Sequence, residues 1–69
     1  MLNEVYRVYE YYEGSRDMNY RELRGFRTLG AARLYAEERE RLTGNQTYVE
    51  WQQYKIDRSG STLIDAMGL

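Results

Sequence analysis

The stretch Thr28-Leu29-Gly30-Ala31-Ala32-Arg33-Leu34-Tyr35-Ala36-Glu37-Glu38-Arg39-Glu40-Arg41-Leu42-Thr43-Gly44 decides the fold. Thr28 is a helix N-cap residue type, and Gly44 with Asn45 supplies a stop, which predicts a helix over about 28–43. At 100° per residue, Leu29, Ala32, Tyr35, Ala36 and Leu42 share one arc. Arg33, Glu37, Glu40 and Arg41 lie opposite, and Glu37 with Arg41 has the favourable i,i+4 order. Ala32 and Ala36 are small enough to let the helix lie close to a sheet. Leu34 falls on the polar side. Arg39 interrupts the apolar arc, where its stem can pack and its head reach outward.

Residues on either side of the helix favour strands. Residues 3–12 hold four tyrosines and two valines, which suit a pleated surface. Residues 47–57 (Thr-Tyr-Val-Glu-Trp-Gln-Gln-Tyr-Lys-Ile-Asp) predict a second long strand. Asp57-Arg58-Ser59-Gly60-Ser61 is a turn signal, followed over 61–67 by a short return strand or, in the alternative, a short helix. Residues 13–27 are irregular: Glu13-Gly14-Ser15-Arg16-Asp17 reads as a turn, and Met18 to Phe26 as an edge strand or a loop. The expected architecture is a single α+β domain, a three- or four-stranded antiparallel sheet with one helix on one face. The tail Ala66-Met67-Gly68-Leu69 is apolar, and either docks on the core or inserts into a partner.

Composition removes whole classes of chemistry. The chain has 69 residues, no Cys and no His, and a formal net charge of -1. Disulfide scaffolds, thiolate zinc sites and His-based acid–base or nucleophile systems are excluded. The glycines are scattered and form no phosphate-binding loop. Glu10 with Glu50 is a carboxylate pair that nothing in the sequence brings together. No enzyme activity, metal or cofactor is expected. No run reaches the roughly 20 apolar residues of a membrane helix. The charged start, Met1 to Glu10, does not resemble a leader, so the expected compartment is the cytoplasm (the host cytoplasm for a viral protein).

The strands carry apolar residues on both faces, although one helix covers one face only. In the first strand Tyr6, Val8 and Tyr12 oppose Val5, Tyr9 and Tyr11. In the second, Tyr48, Tyr54 and Ile56 oppose Val49 and Trp51. Tyr6, Val8, Leu29, Ala32, Ala36, Tyr54 and Ile56 are assigned to the core. The uncovered face then presents Tyr9, Tyr11, Trp51 and Arg7. With 8 Tyr, 1 Trp and 9 Arg against one Lys, the chain is rich in the residues of interface hot spots. A protein partner is therefore expected on that face. Arg21 and Arg24 are second candidates. Together with Arg16, Arg27, Tyr20 and Phe26 they form the one basic stretch, and the alternative is a nucleic-acid-binding role for Arg16 to Arg27. A structural homo-oligomer, such as a homodimer, is the third possibility.

The pattern Phe26-Arg27-Thr28-Leu29-x-x-Ala32-x-x-Tyr35-Ala36-Glu37, set between tyrosine-rich strands, resembles small bacteriophage-encoded inhibitors. These include the short phage inhibitor of bacterial RNA polymerase and several anti-CRISPR proteins. The resemblance covers about residues 3–57 and implies a β-α-β-β fold, no catalysis, and masking of a large host complex. No binding residue carries over from it.

Overall fold

The computed structural model describes residues 1–12 and 20–69. The elements in chain order are β1 (Leu2–Tyr11), β2 (Tyr20–Phe26), α1 (Leu29–Thr43), β3 (Thr47–Asp57) and β4 (Gly60–Gly68). The strands form one antiparallel sheet in the order β2-β1-β3-β4. The α+β class follows the sequence expectation, with one helix and four strands among the described residues. The segment 61–67 is strand, not helix, and the basic stretch supplies edge strand β2 from Tyr20. The turn expected over Glu13 to Asp17 lies outside the described residues, as does Arg16.

Local chemistry sets the boundaries. Thr28 holds extended backbone angles, and its hydroxyl accepts from the Ala31 N–H at 3.2 Å, satisfying an amide that the first turn leaves free. Gly44 ends the helix at φ 74, the left-handed region, and its N–H returns to the Glu40 carbonyl at 2.8 Å. Asp57 Oδ1 accepts from the Ser59 N–H and hydroxyl at 2.8 and 2.6 Å, which folds the two-residue turn before Gly60.

The connection β2-α1-β3 carries α1 across β1. The helix packs on β1, β2 and β3 and makes no contact with β4. Val8 and Val49, opposite each other on β1 and β3, meet Ala32 and Ala36, and these four are the buried apolar core among the described residues. Tyr6, Leu23, Phe26, Leu29 and Tyr35 ring it. A core this small contributes only about 1.5–3 kcal/mol per buried valine, so polar contacts decide much of the margin.

The β1–β3 register corrects one expectation. Tyr6 faces Trp51 and Val8 faces Val49, so Trp51 lies on the helix side. Tyr54 and Ile56 lie on the uncovered side with Tyr9, the reverse of their assignment to the core. The faces of β1 follow the expectation and those of β3 are the reverse of it. Both faces of β3 are apolar, and the choice belongs to Val49, whose compact side chain fits against the alanine stripe. The same register places Glu10 on the helix side and Glu50 on the other, so they form no pair. Tyr12 sits past the end of β1 and is exposed.

Candidate functional site

The uncovered face of the sheet is organised around Gln52. Its side chain uses its whole hydrogen-bonding capacity. Nε2 donates to the Tyr9 hydroxyl and to Glu50 Oε1, each at 2.8 Å. Oε1 accepts from Arg7 Nε at 3.0 Å and from the Tyr54 hydroxyl at 2.7 Å. Gln52 is only 3% exposed although no element covers this face, because its four partners enclose it. Arg7 also donates from Nη1 to Glu22. Gly25, beside Arg7 on β2, keeps the space above it open: a Cβ there would stand 2.8 Å from Val5 Cγ1 and 3.5 Å from the Arg7 guanidinium.

A row of tyrosine rings continues from this network. Tyr9 and Tyr48 stack with centroids 5.0 Å apart. Tyr20 meets Tyr48 edge-on at 4.7 Å, and Tyr11 meets Tyr20 at 5.6 Å. Such pairs add about 0.5–1.5 kcal/mol each beyond area burial and fix ring orientation. Burial pushes the phenols of Tyr9 and Tyr48 above the ordinary tyrosine value, so both stay neutral at physiological pH. The face thus presents rigid, neutral aromatic rings and three held charges: Arg7, Glu22 and Glu50.

Of the residues singled out from sequence, the structure brings Arg7, Tyr9 and Tyr11 together on this face. Trp51 is on the other side, in a hollow with Leu29. Arg21 is also on the helix side, donating to Glu10 Oε2 at 2.7 Å. Arg24 lies over the Phe26 ring at 5.1 Å. Neither is directed to the tyrosine row. Tyr48, Tyr54 and Gln52 join the site in addition, and Tyr20 joins it from the basic stretch. Tyr48, Tyr54 and Gln52 follow from the β1–β3 register and Tyr20 from the β1–β2 register, neither of which a single sequence displays.

The helix side holds the most buried charge among the described residues. The Glu10 side chain is fully enclosed. It accepts from Arg39 Nε at 3.0 Å, from Arg21 at 2.7 Å and from the Thr43 hydroxyl at 3.2 Å. The Arg39 hydrogen bond, opposed by burial and assisted by Arg21 and Thr43, lowers its pKa to about 2. A carboxylate held ionised in this way is a poor general acid or base near neutrality. It ties the C-terminal turn of α1 to β1. The acidic run beside it is likewise engaged: Glu38 pairs with Arg41 in place of the anticipated Glu37–Arg41 pair, and Glu40 accepts from the Thr47 N–H and hydroxyl.

Among the described residues no cluster of three or more Asp or Glu side chains could hold a metal, and no helix is long and apolar enough to cross a membrane. Two polar hollows of about 370 and 230 Å³ flank Arg7 and share Asn3 and Val5. An apolar hollow of about 290 Å³ lies on the helix side. Comparison of the chain with protein-family models, with curated proteins and with solved structures returns no match.

Proposed function

We propose that the chain is a non-catalytic protein-binding module that recognises a partner through the uncovered face of its sheet. The observation that carries this is the contiguous row Tyr11, Tyr20, Tyr48 and Tyr9, locked through Gln52 to Arg7 and Tyr54. Tyrosine and arginine supply large contact area and directional bonds, and rings already fixed lose little entropy on binding. Glu22 and Glu50 outnumber Arg7 on this face, so the partner surface offers a Lys or Arg to them and apolar or amide groups to the rings. That balance disfavours nucleic acid, as does the engagement of Arg21 by Glu10 and of Arg24 by Phe26. The resemblance to bacteriophage inhibitors extends the proposal: the partner is a component of a bacterial host complex, and binding masks it.

The test is capture from lysate of the source or host cell with nuclease present, comparing wild type with Tyr11→Ser/Tyr20→Ser. Both positions lie toward the β2 edge, away from the core, so the double variant keeps the fold, checked by circular dichroism. The expected result is a stoichiometric protein complex with the wild type that the variant loses. Equal capture by both, or material that disappears with nuclease, contradicts the proposal.

A further inference from the structure

The helix layer covers only part of its side of the sheet, because α1 makes no contact with β4. Beside α1 lies a bare strip formed by the helix-side residues of two strands: Trp51, Gln53 and Lys55 on β3, and Met67, Asp65 and Thr62 paired with them on β4. The apolar hollow opens at one end of this strip, where Trp51 and Leu29 meet Met67 and Leu69, which are 57% and 48% exposed. The buried apolar core among the described residues is two valines and two alanines, so the larger apolar side chains here stay outside it. The chain exposes 5279 Å², about 700 Å² above the roughly 4,600 Å² expected of a folded monomer of 8.3 kDa. Each partner in a standard protein interface buries about 800 Å².

We propose that a second copy of this chain covers the strip, the two sheets stacking face to face about a twofold axis that runs along the strands between β3 and β4. This axis lays β3 of each copy over β4 of the other. Because Trp51 pairs with Met67, each Trp51 meets the other copy's Met67, and the two hollows close on each other. Lys55 lies two residues along β3 from Gln53, the residue paired with Asp65, so its long side chain reaches the other copy's Asp65, and the twofold repeats the contact. Among the described residues neither Lys55 nor Asp65 has an ion-pair partner of its own. One cation and one anion make the strip complementary to itself, which favours a copy over a different protein. The space also fits: a stacked sheet stands about 10 Å away and a helix is about 10–12 Å thick, so the second copy's β4 lies beside α1 in one layer. Pairing through the β4 edge is the poorer arrangement. Asp65 Oδ1 caps the Ala66 N–H at 2.9 Å, and a register shift between Gln53 and Tyr54 interrupts the strand. The strip and the tyrosine row lie on opposite sides of the sheet, and neither proposal depends on the other.

Trp51 is the single tryptophan of the chain, so its fluorescence reports on the strip. The experiment is sedimentation equilibrium of the full chain from about 1 to 500 μM, with Trp51 emission recorded over the same dilution series. The expected result is a monomer–dimer equilibrium, with the emission moving to the red as dimers dissociate. Met67→Asp, Lys55→Glu and Asp65→Lys each weaken the dimer by about tenfold or more. The double variant Lys55→Glu/Asp65→Lys recovers it, a reversal that general destabilisation of the sheet does not produce. Tyr11→Ser/Tyr20→Ser leaves the equilibrium unchanged. A monomer at every concentration, a double charge reversal that recovers nothing, or a dimer that the tyrosine variant dissolves and Met67→Asp leaves intact overturns the proposal.

Discussion

Replacing Glu10 by Gln removes the one fully enclosed charge among the described residues while keeping side-chain shape and an acceptor for Arg39. The pKa of Glu10 is lowered from the ordinary 4.5 to about 2. That difference, at about 1.4 kcal/mol per pH unit, sets an upper bound of about 3 kcal/mol on its contribution. Breaking a fully buried ion pair costs about 3–5 kcal/mol, but Arg21 and Arg39 are 56% and 31% exposed, and solvent screens them. The expected loss is therefore about 2 kcal/mol at pH 7. Because the folded pKa lies below the unfolded one, this stability is fully present above about pH 4.5 and fades as pH falls toward 2. Urea denaturation of wild type and Glu10→Gln between pH 7 and 2.5 reads the difference. A domain of this size holds only about 3–5 kcal/mol in total, so carboxyl carbon NMR of Glu10 in the wild type gives a second readout. A stability difference that does not shrink with acid, or a Glu10 midpoint near 4.5, refutes the reasoning.

Gln52→Leu leaves Arg7 Nε and the Tyr54 hydroxyl without their acceptor, and is expected to cost about 1–3 kcal/mol by chemical denaturation and to increase the mobility of the Tyr9 ring in NMR. Gly25→Ala forces its Cβ against Val5 and is expected to cost about 1–3 kcal/mol, lowering the melting temperature and displacing Arg7. Gly44→Ala places a Cβ at φ 74 and is expected to cost about 1 kcal/mol, while Gly30→Ala, which has nothing within 4 Å of its new Cβ, is expected to stabilise by up to about 1 kcal/mol. In an alkaline absorbance titration, Tyr9 and Tyr48 are expected to ionise after the freely exposed phenols.

The helix was readable because its evidence is local: Thr28 and Gly44 are adjacent to the residues they cap, and the Asp57–Gly60 turn is equally short-ranged. The edge strand β2 was not separable from a loop, since its charged residues show no alternation and its pairing with β1 is broken by a register shift between Val8 and Tyr9. The face of β3 stayed ambiguous because Val49 and Trp51 compete with Tyr54 and Ile56 for burial, and only pairing with β1 over the Ala32–Ala36 stripe decides it. Two apparent faults in the pattern were each other's explanation. Glu10 sits on the apolar face of β1, Arg39 interrupts the apolar arc of α1, and they meet across 29 residues of sequence. The tyrosine site was half readable for the same reason: Tyr9 and Tyr11 follow from β1 alone, whereas Tyr48, Tyr54 and Gln52 require the register.

The most direct test of the tyrosine face as a protein-binding surface is site-specific photo-crosslinking in cells. A benzoylphenylalanine at position 20, in the row, is compared with one at position 34, where Leu34 is 71% exposed on the helix. The account predicts a discrete protein adduct from position 20 and none from position 34. Adducts from position 34 alone, equal adducts from both, or a nucleic-acid adduct from position 20 would contradict it.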